Sequence, residues 1–191
     1  MEDLNAAVRK QGALRGLLFG GIMLLIDVLK LYYLAYAAKS PMVTFILLYP
    51  VYYILLFALS LLFISNLRNK IGRYWSLKQA ITGIFIMLIV SSLIWNNGVT
   101  LFSGKVNPTI AEKAHIGLVE MRREAMQSQN QPAAKIDKEI MDMNKNFAGS
   151  SEITIGSFIQ SLGISVILVF AVAALLGILF RREKATTAQT T

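Results

Sequence analysis

The chain alternates long apolar runs with short basic clusters, and one long stretch breaks the alternation. A helix needs roughly 20 mostly apolar residues to cross about 30 Å of hydrocarbon. Four segments meet that length, at about 14–37, 42–64, 79–101 and 153–180. Between the third and fourth lies 103–152, with seven Lys or Arg, seven Asp or Glu and the single histidine, His115. Within it, Ile110, Ala114, Leu118, Met121 and Ala125 recur at helical spacing. A polar break from Gln127 to Pro132 follows, and then Ile136, Ile140, Met143 and Phe147 share one face of a second helix. Asn107-Pro108-Thr109 opens the first of these helices, with Thr109 and Glu112 at capping-box spacing. Ala148 to Ser151 ends the second and caps the last span. The pattern predicts an all-α polytopic membrane protein. It forms one membrane domain over 1–191, with four transmembrane helices and an amphipathic helical hairpin between the third and the fourth. The hairpin's apolar faces are expected to pack on each other and on the outer ends of the spans.

The basic clusters set the orientation, because Lys and Arg in short loops stay in the cytoplasm. Arg9, Lys10 and Arg15 precede the first span, Lys39 stands alone in the first loop, Arg68, Lys70, Arg73 and Lys78 fill the second, and Arg181, Arg182 and Lys184 follow the last. Both termini are therefore expected in the cytoplasm of a bacterial inner membrane, with the insert outside. Tyr32, Tyr33, Tyr36, Tyr49, Tyr52 and Tyr53 read as an outer interfacial belt, Tyr74 and Trp75 as an inner one. Ala35-Tyr36-Ala37 resembles a cleavage site, but the preceding run exceeds the roughly 7–15 residues of a signal core and holds Asp27 and Lys30. It reads as a retained span. Pro50 lies within the second span and predicts a kink.

Composition narrows the function classes. A hydrophobic share of 55% exceeds the roughly 45–50% of soluble domains. The net charge of +8 would suit nucleic acid if it formed one patch, but outside the insert the basic residues flank apolar runs and mark topology. With no cysteine, disulfides, thiol nucleophiles and Cys-ligated metals are excluded. His115 lies one helical turn from Glu112, but no second histidine completes a ligand set, and it reads as a surface residue. No nucleophile elbow, phosphate loop or paired-histidine motif is present, and the insert's acids alternate with bases as on a solvated helix face. No catalytic, cofactor-binding or metal-ligating residue is expected, and the protein is read as non-enzymatic.

The candidate intramembrane chemistry is Asp27 and Lys30. Each central charge costs about 2.5–3.5 kcal/mol on an insertion scale, against about 0.3–0.6 returned by each Leu, Ile, Phe or Val. Three residues apart, the two share a helix face and neutralise one another. Gly16 and Gly20 fall on the same stripe, in a small-xxx-small motif that permits close helix packing. A second small-residue stripe runs along the last span through Gly156, Gln160, Gly163, Ala174 and Gly177. The pair is either a structural ion pair that fixes helix packing or part of a proton or ion relay. A relay strings several titratable groups across the bilayer, whereas Gln79 and Gln160 in the other spans do not titrate.

The stretch Gly72-Arg73-Tyr74-Trp75-Ser76-Leu77-Lys78-Gln79-Ala80-Ile81-Thr82-Gly83 reads physically as a juxtamembrane turn. Gly72 permits a tight reversal, Tyr74 and Trp75 anchor at headgroups, and Ser76 caps the third span. It resembles a stretch of the bacterial DUF4199 family of the form Gly-Gly-Tyr-x-Ser-Phe-x-Gln-Ala-Phe-x-x-Gly, and Asn107-Pro108 stands where that family has Asp-Pro. The matching positions are Gly72, Tyr74, Ser76, Gln79, Ala80, Gly83 and Pro108; Arg73, Leu77, Ile81 and Asn107 depart from the pattern. The resemblance extends from about Gly12 to Lys184 and implies four spans with an extracytoplasmic segment before the last. It implies no activity, and is compatible with an accessory role beside a membrane enzyme such as a glycosyltransferase. The first expectation is an accessory or scaffold protein that offers its hairpin to another membrane protein, to a second copy of itself or to lipid. The second is a small oligomeric transporter or channel using Asp27 and Lys30.

Overall fold

The computed structural model describes residues 2–149 and 155–181, with side chains from 4 to 148 and from 163 to 181. The described chain is helical, without a strand. In order it forms α1 (Glu2–Tyr32), α2 (Pro41–Ile46), α3 (Tyr52–Lys70), α4 (Leu77–Leu101), α5 (Pro108–Ser128), α6 (Ala133–Gly149) and α7 (Ile155–Phe180). Three π-helical turns, Tyr33–Ala37, Leu47–Val51 and Phe102–Val106, extend α1, join α2 to α3 and extend α4. Four stretches are long and apolar enough to cross a membrane: Leu4–Ala37, Pro41–Lys70, Leu77–Val106 and Gly163–Phe180. The chain is thus a multi-pass membrane protein by length and composition.

Each wide turn has a local cause. Pro50 lacks the N–H that an α-helical ladder needs, so the second span widens across Leu47–Val51 and continues as α3. The other two turns each close with an N–H reaching five residues back, Ala38 to the Tyr33 carbonyl at 2.9 Å and Asn107 to the Phe102 carbonyl at 2.8 Å. Pro41 and Pro108 follow closely and open α2 and α5, where a missing N–H is harmless. The spans run further than hydropathy alone predicts: α1 begins at Glu2 and α3 continues to Lys70. The extra turns are amphipathic, and bury Val8 on α1 and Leu67 on α3.

Internal contacts divide the chain into two compact units. One comprises the described parts of Met1–Ile22, Phe57–Trp95 and Leu162–Thr191; the other comprises those of Met23–Leu56 and Asn96–Ser161. The core of the first gathers Val8, Ile64, Leu67, Ile71, Trp75, Ala80, Ile84, Met87, Ala173 and Leu176 from α1, α3, α4, α7 and the turn before α4. Gly12, Gly16 and Gly20 put α1 against α4 so closely that a Cβ at each would lie 2.9 Å from the Gly83 carbonyl oxygen, 2.6 Å from that of Met87 and 2.8 Å from that of Ser91. On α7, a Cβ at Gly177 would meet the Ile81 side chain at 2.7 Å, whereas one at Gly163 would meet nothing within 4 Å. Of the second stripe Gly177 thus makes a close contact, and the buried face of α7 beside it is formed by Ala173 and Leu176, which lie off the stripe. Gly163 faces outward, and the side chains at Gly156 and Gln160 lie outside the described residues.

In the second unit α5 lies on the π turn that ends the first span. Leu34, Ala114 and Met121 form a buried cluster, and Gly117 admits the Leu34 carbonyl oxygen to 2.5 Å of where a Cβ would sit. The other side of α5 takes α6: Met126, Ile136 and Ile140 are buried together, with Val119 and Met143 packed against them. Both contacts anticipated for the hairpin are thus made, by different faces of α5.

Three local expectations are corrected. Thr109 does not cap α5 in a box with Glu112; its hydroxyl donates to the Asn107 side-chain oxygen at 2.9 Å, and Asn107 makes no side-chain cap bond. Phe147 is not in the hairpin core but lies parallel to the His115 ring, with centroids 4.1 Å apart. Trp75 is not an interfacial anchor: it is 2% exposed and fills the first unit's core. The expected cap of the last span at Ser150 and Ser151 lies outside the described residues.

Candidate functional site

The turn between α3 and α4 is built from the motif residues. Gly72 has φ +102° and Arg73 φ +70°, so two successive left-handed residues reverse the chain after Ile71. Ser76 and Gln79 then cap α4 reciprocally: the Gln79 N–H donates to the Ser76 hydroxyl at 3.4 Å, and the Ser76 N–H donates to the Gln79 side-chain oxygen at 3.0 Å. The Gln79 amide also donates to the Asn5 side-chain oxygen on α1 at 3.2 Å. Gln79 is therefore a capping residue and not the intramembrane polar group that its place in the apolar pattern suggests. Ala80 is wholly buried, and Gly83 leaves room for Val8 and Trp75. Tyr74 is exposed, as expected of a headgroup anchor. Pro108 is the first residue of α5.

The intramembrane pair belongs to the second unit. Asp27 is buried at 5% exposure, with Lys30 Nζ 2.6 Å from its carboxylate. Tyr52 at the start of α3 completes the group. Its hydroxyl is hydrogen-bonded to Asp27, and Lys30 Nζ lies 4.3 Å above its ring centroid. The carboxylate thus has an ammonium and a phenol around it, and the ammonium has a carboxylate and a π face. Gly16 and Gly20, on the same stripe of α1, face α4, while Asp27 is met by α3. Tyr52 was legible only as one tyrosine of an interfacial belt; its pairing with Asp27 depends on the register of two helices, which spacing within one helix does not encode.

The hairpin carries charged and polar side chains on both of its helices. Arg122 on α5 reaches Glu139 on α6 at 2.9 Å across the two helices, and His115 Nε2 lies 2.9 Å from the Asn144 side-chain oxygen. Near the start of α5, Asn107 donates to the Tyr32 hydroxyl at 3.4 Å, and Lys113 approaches Tyr36, 5.1 Å from its ring centroid. The outward side of α6 presents Lys138, Met141, Asp142 and Lys145, all exposed. Among the described residues no group of three or more His, Asp or Glu converges as a metal site.

Two roles expected of the motif are seen, the reversal at Gly72 and the cap by Ser76; the cap shared with Gln79 and the burial of Trp75 against Gly83 were not expected. A family model described as "Protein of unknown function (DUF4199)" matches residues 15–182. No curated protein and no solved structure matches the chain. With most of its length inside that match, the chain belongs to the DUF4199 family.

Proposed function

We propose that this protein is a non-enzymatic accessory or scaffold subunit that presents the α5–α6 hairpin outside the cytoplasm to another membrane protein. Both termini then lie in the cytoplasm and the spans sit in the bacterial inner membrane; the alternation of basic clusters by side supports this orientation. The observation that carries the reading is the seating of α5 on the first span's last turn, where Gly117 receives the Leu34 carbonyl. A tether needs no such contact; a surface held for recognition does. With one face of α5 spent on the span and another on α6, the outward face of α6 is left for a partner. No activity follows from the family match.

Affinity purification from membranes tests this. The reading expects one membrane protein to be retained by the parent and lost with the charge reversals Lys138→Glu and Lys145→Glu, at unchanged expression. Equal recovery with and without the reversals contradicts it. Labelling of single cysteines in intact cells by an impermeant maleimide tests the side: Ser128→Cys is expected to react and Asn69→Cys to stay protected, and the reverse contradicts the orientation.

Transport through Asp27 and Lys30 is the second reading, favoured by the burial of the carboxylate inside a span. The closed set of partners formed with Tyr52 favours a packing role instead. Ion flux in liposomes abolished by Asp27→Asn reverses that order.

A further inference from the structure

We infer that the cleft between the starts of α1 and α4 binds the phosphate of an anionic phospholipid. The cleft, about 100 Å³, is lined by Asn5, Val8, Arg9, Lys78, Gln79 and Thr82. Two cations line it, and among the described residues no carboxylate joins them and neither Arg9 nor Lys78 forms an ion pair. The acids nearest in sequence are Glu2 and Asp3 at the start of α1; beyond them no Asp or Glu occurs before Asp27 or between Asp27 and Glu112. Both cations are exposed, and a phosphate in the cleft would meet two positive groups.

The hydrogen-bond network makes the cleft still more selective. The Asn5 oxygen already accepts from the Gln79 amide, and the Gln79 oxygen already accepts from the Ser76 N–H. Each amide oxygen thus already accepts one bond, and the lining offers donors: the Arg9 guanidinium, the Lys78 ammonium, the Asn5 amide and the Thr82 hydroxyl. The positive end of α4, which begins at Leu77, adds to the same field. Val8 supplies an apolar wall, and the cleft lies at the starts of two membrane-crossing stretches, Leu4–Ala37 and Leu77–Val106, the depth of lipid headgroups. A soluble phosphate ester shares the recognised chemistry; the apolar wall and this depth favour the lipid.

Native mass spectrometry of the full-length protein in detergent tests the site, with phosphatidylglycerol against phosphatidylcholine and with thermal melting as the check on folding. Preferential retention of phosphatidylglycerol is expected, weakened about fivefold by Arg9→Gln or Lys78→Gln alone and on the order of twenty-five-fold by both. Lys135→Gln with Arg123→Gln in the hairpin should leave it unchanged. Asn5→Asp puts a carboxylate into the same cleft at an exposed helix position and should also abolish the preference; it serves where the double variant does not fold. Equal retention of phosphatidylglycerol by parent, double variant and Asn5→Asp overturns the proposal. Displacement of the lipid by millimolar inorganic phosphate or glycerol 3-phosphate overturns the lipid assignment in favour of a soluble phosphate.

Discussion

The indole N–H of Trp75 donates a 2.8 Å hydrogen bond to the backbone carbonyl of Phe180. The last carbonyls of a helix have no partner within it, and here the turn before α4 satisfies one at the end of α7. A residue next to the glycine turn thus ties together two elements 105 positions apart in the chain.

Two substitutions separate the contributions of Trp75. Trp75→Phe keeps an aromatic ring and removes the donor, at a cost of about 1 kcal/mol. Trp75→Ala also empties core volume and should cost about 3–5 kcal/mol. Melting in detergent should therefore rank parent above Trp75→Phe and Trp75→Phe well above Trp75→Ala; an alanine variant as stable as the parent would show that the indole is not a core residue.

Arg73 holds φ +70°, which strains a residue with a Cβ. The family pattern has glycine at this position. Arg73→Gly should raise stability by about 1 kcal/mol, read as a higher melting temperature, although it removes a charge from the loop.

Glycines on α1 give an internal control. A Cβ at Gly20 would lie 2.8 Å from the Ser91 carbonyl oxygen and 2.9 Å from its Cα, whereas one at the adjacent Gly21 would meet nothing within 4 Å. Gly20→Ala should destabilise by about 1–3 kcal/mol through overpacking. Gly21→Ala should be neutral or slightly stabilising, since alanine favours a helix by about 1 kcal/mol over glycine. Similar melting of the two variants would contradict the close approach of α1 and α4.

These elements also show what the sequence could carry. The spans, the hairpin and the Gly16–Gly20 stripe were legible because hydropathy and small-residue spacing are properties of single helices. Gly12 extends the same four-residue spacing and could have been read with them. The burial of Trp75 was not legible, because a tryptophan beside an apolar run reads equally as a headgroup anchor; only the glycine at 83 and the end of α7 make room for it. Gly117 looked like any helical glycine, although it is the point where α5 meets the first span. Lys30 was legible as a partner of Asp27, but Tyr52 was hidden, because it reaches Asp27 through the packing of two helices.

For the buried group, losing one partner leaves a charge alone, which costs about 3–5 kcal/mol, while replacing both with apolar residues of similar size is often nearly neutral. Asp27→Leu should therefore lower expression and melting temperature more than Asp27→Leu with Lys30→Leu. Equal loss in both would assign the pair a role beyond packing.

The claim that α5–α6 is a seated surface for a membrane partner is tested most directly by photo-crosslinking in living cells. A photoreactive residue replaces Met141, which is 62% exposed on the outward side of α6, with Asn69 as the control position. The account predicts one discrete adduct from position 141 and none of that mass from position 69. It also predicts loss of the adduct when Ile140→Asp is added, since a charge among Met126, Ile136 and Ile140 would break the hairpin core. No adduct from position 141, or an adduct that survives Ile140→Asp unchanged, would contradict it.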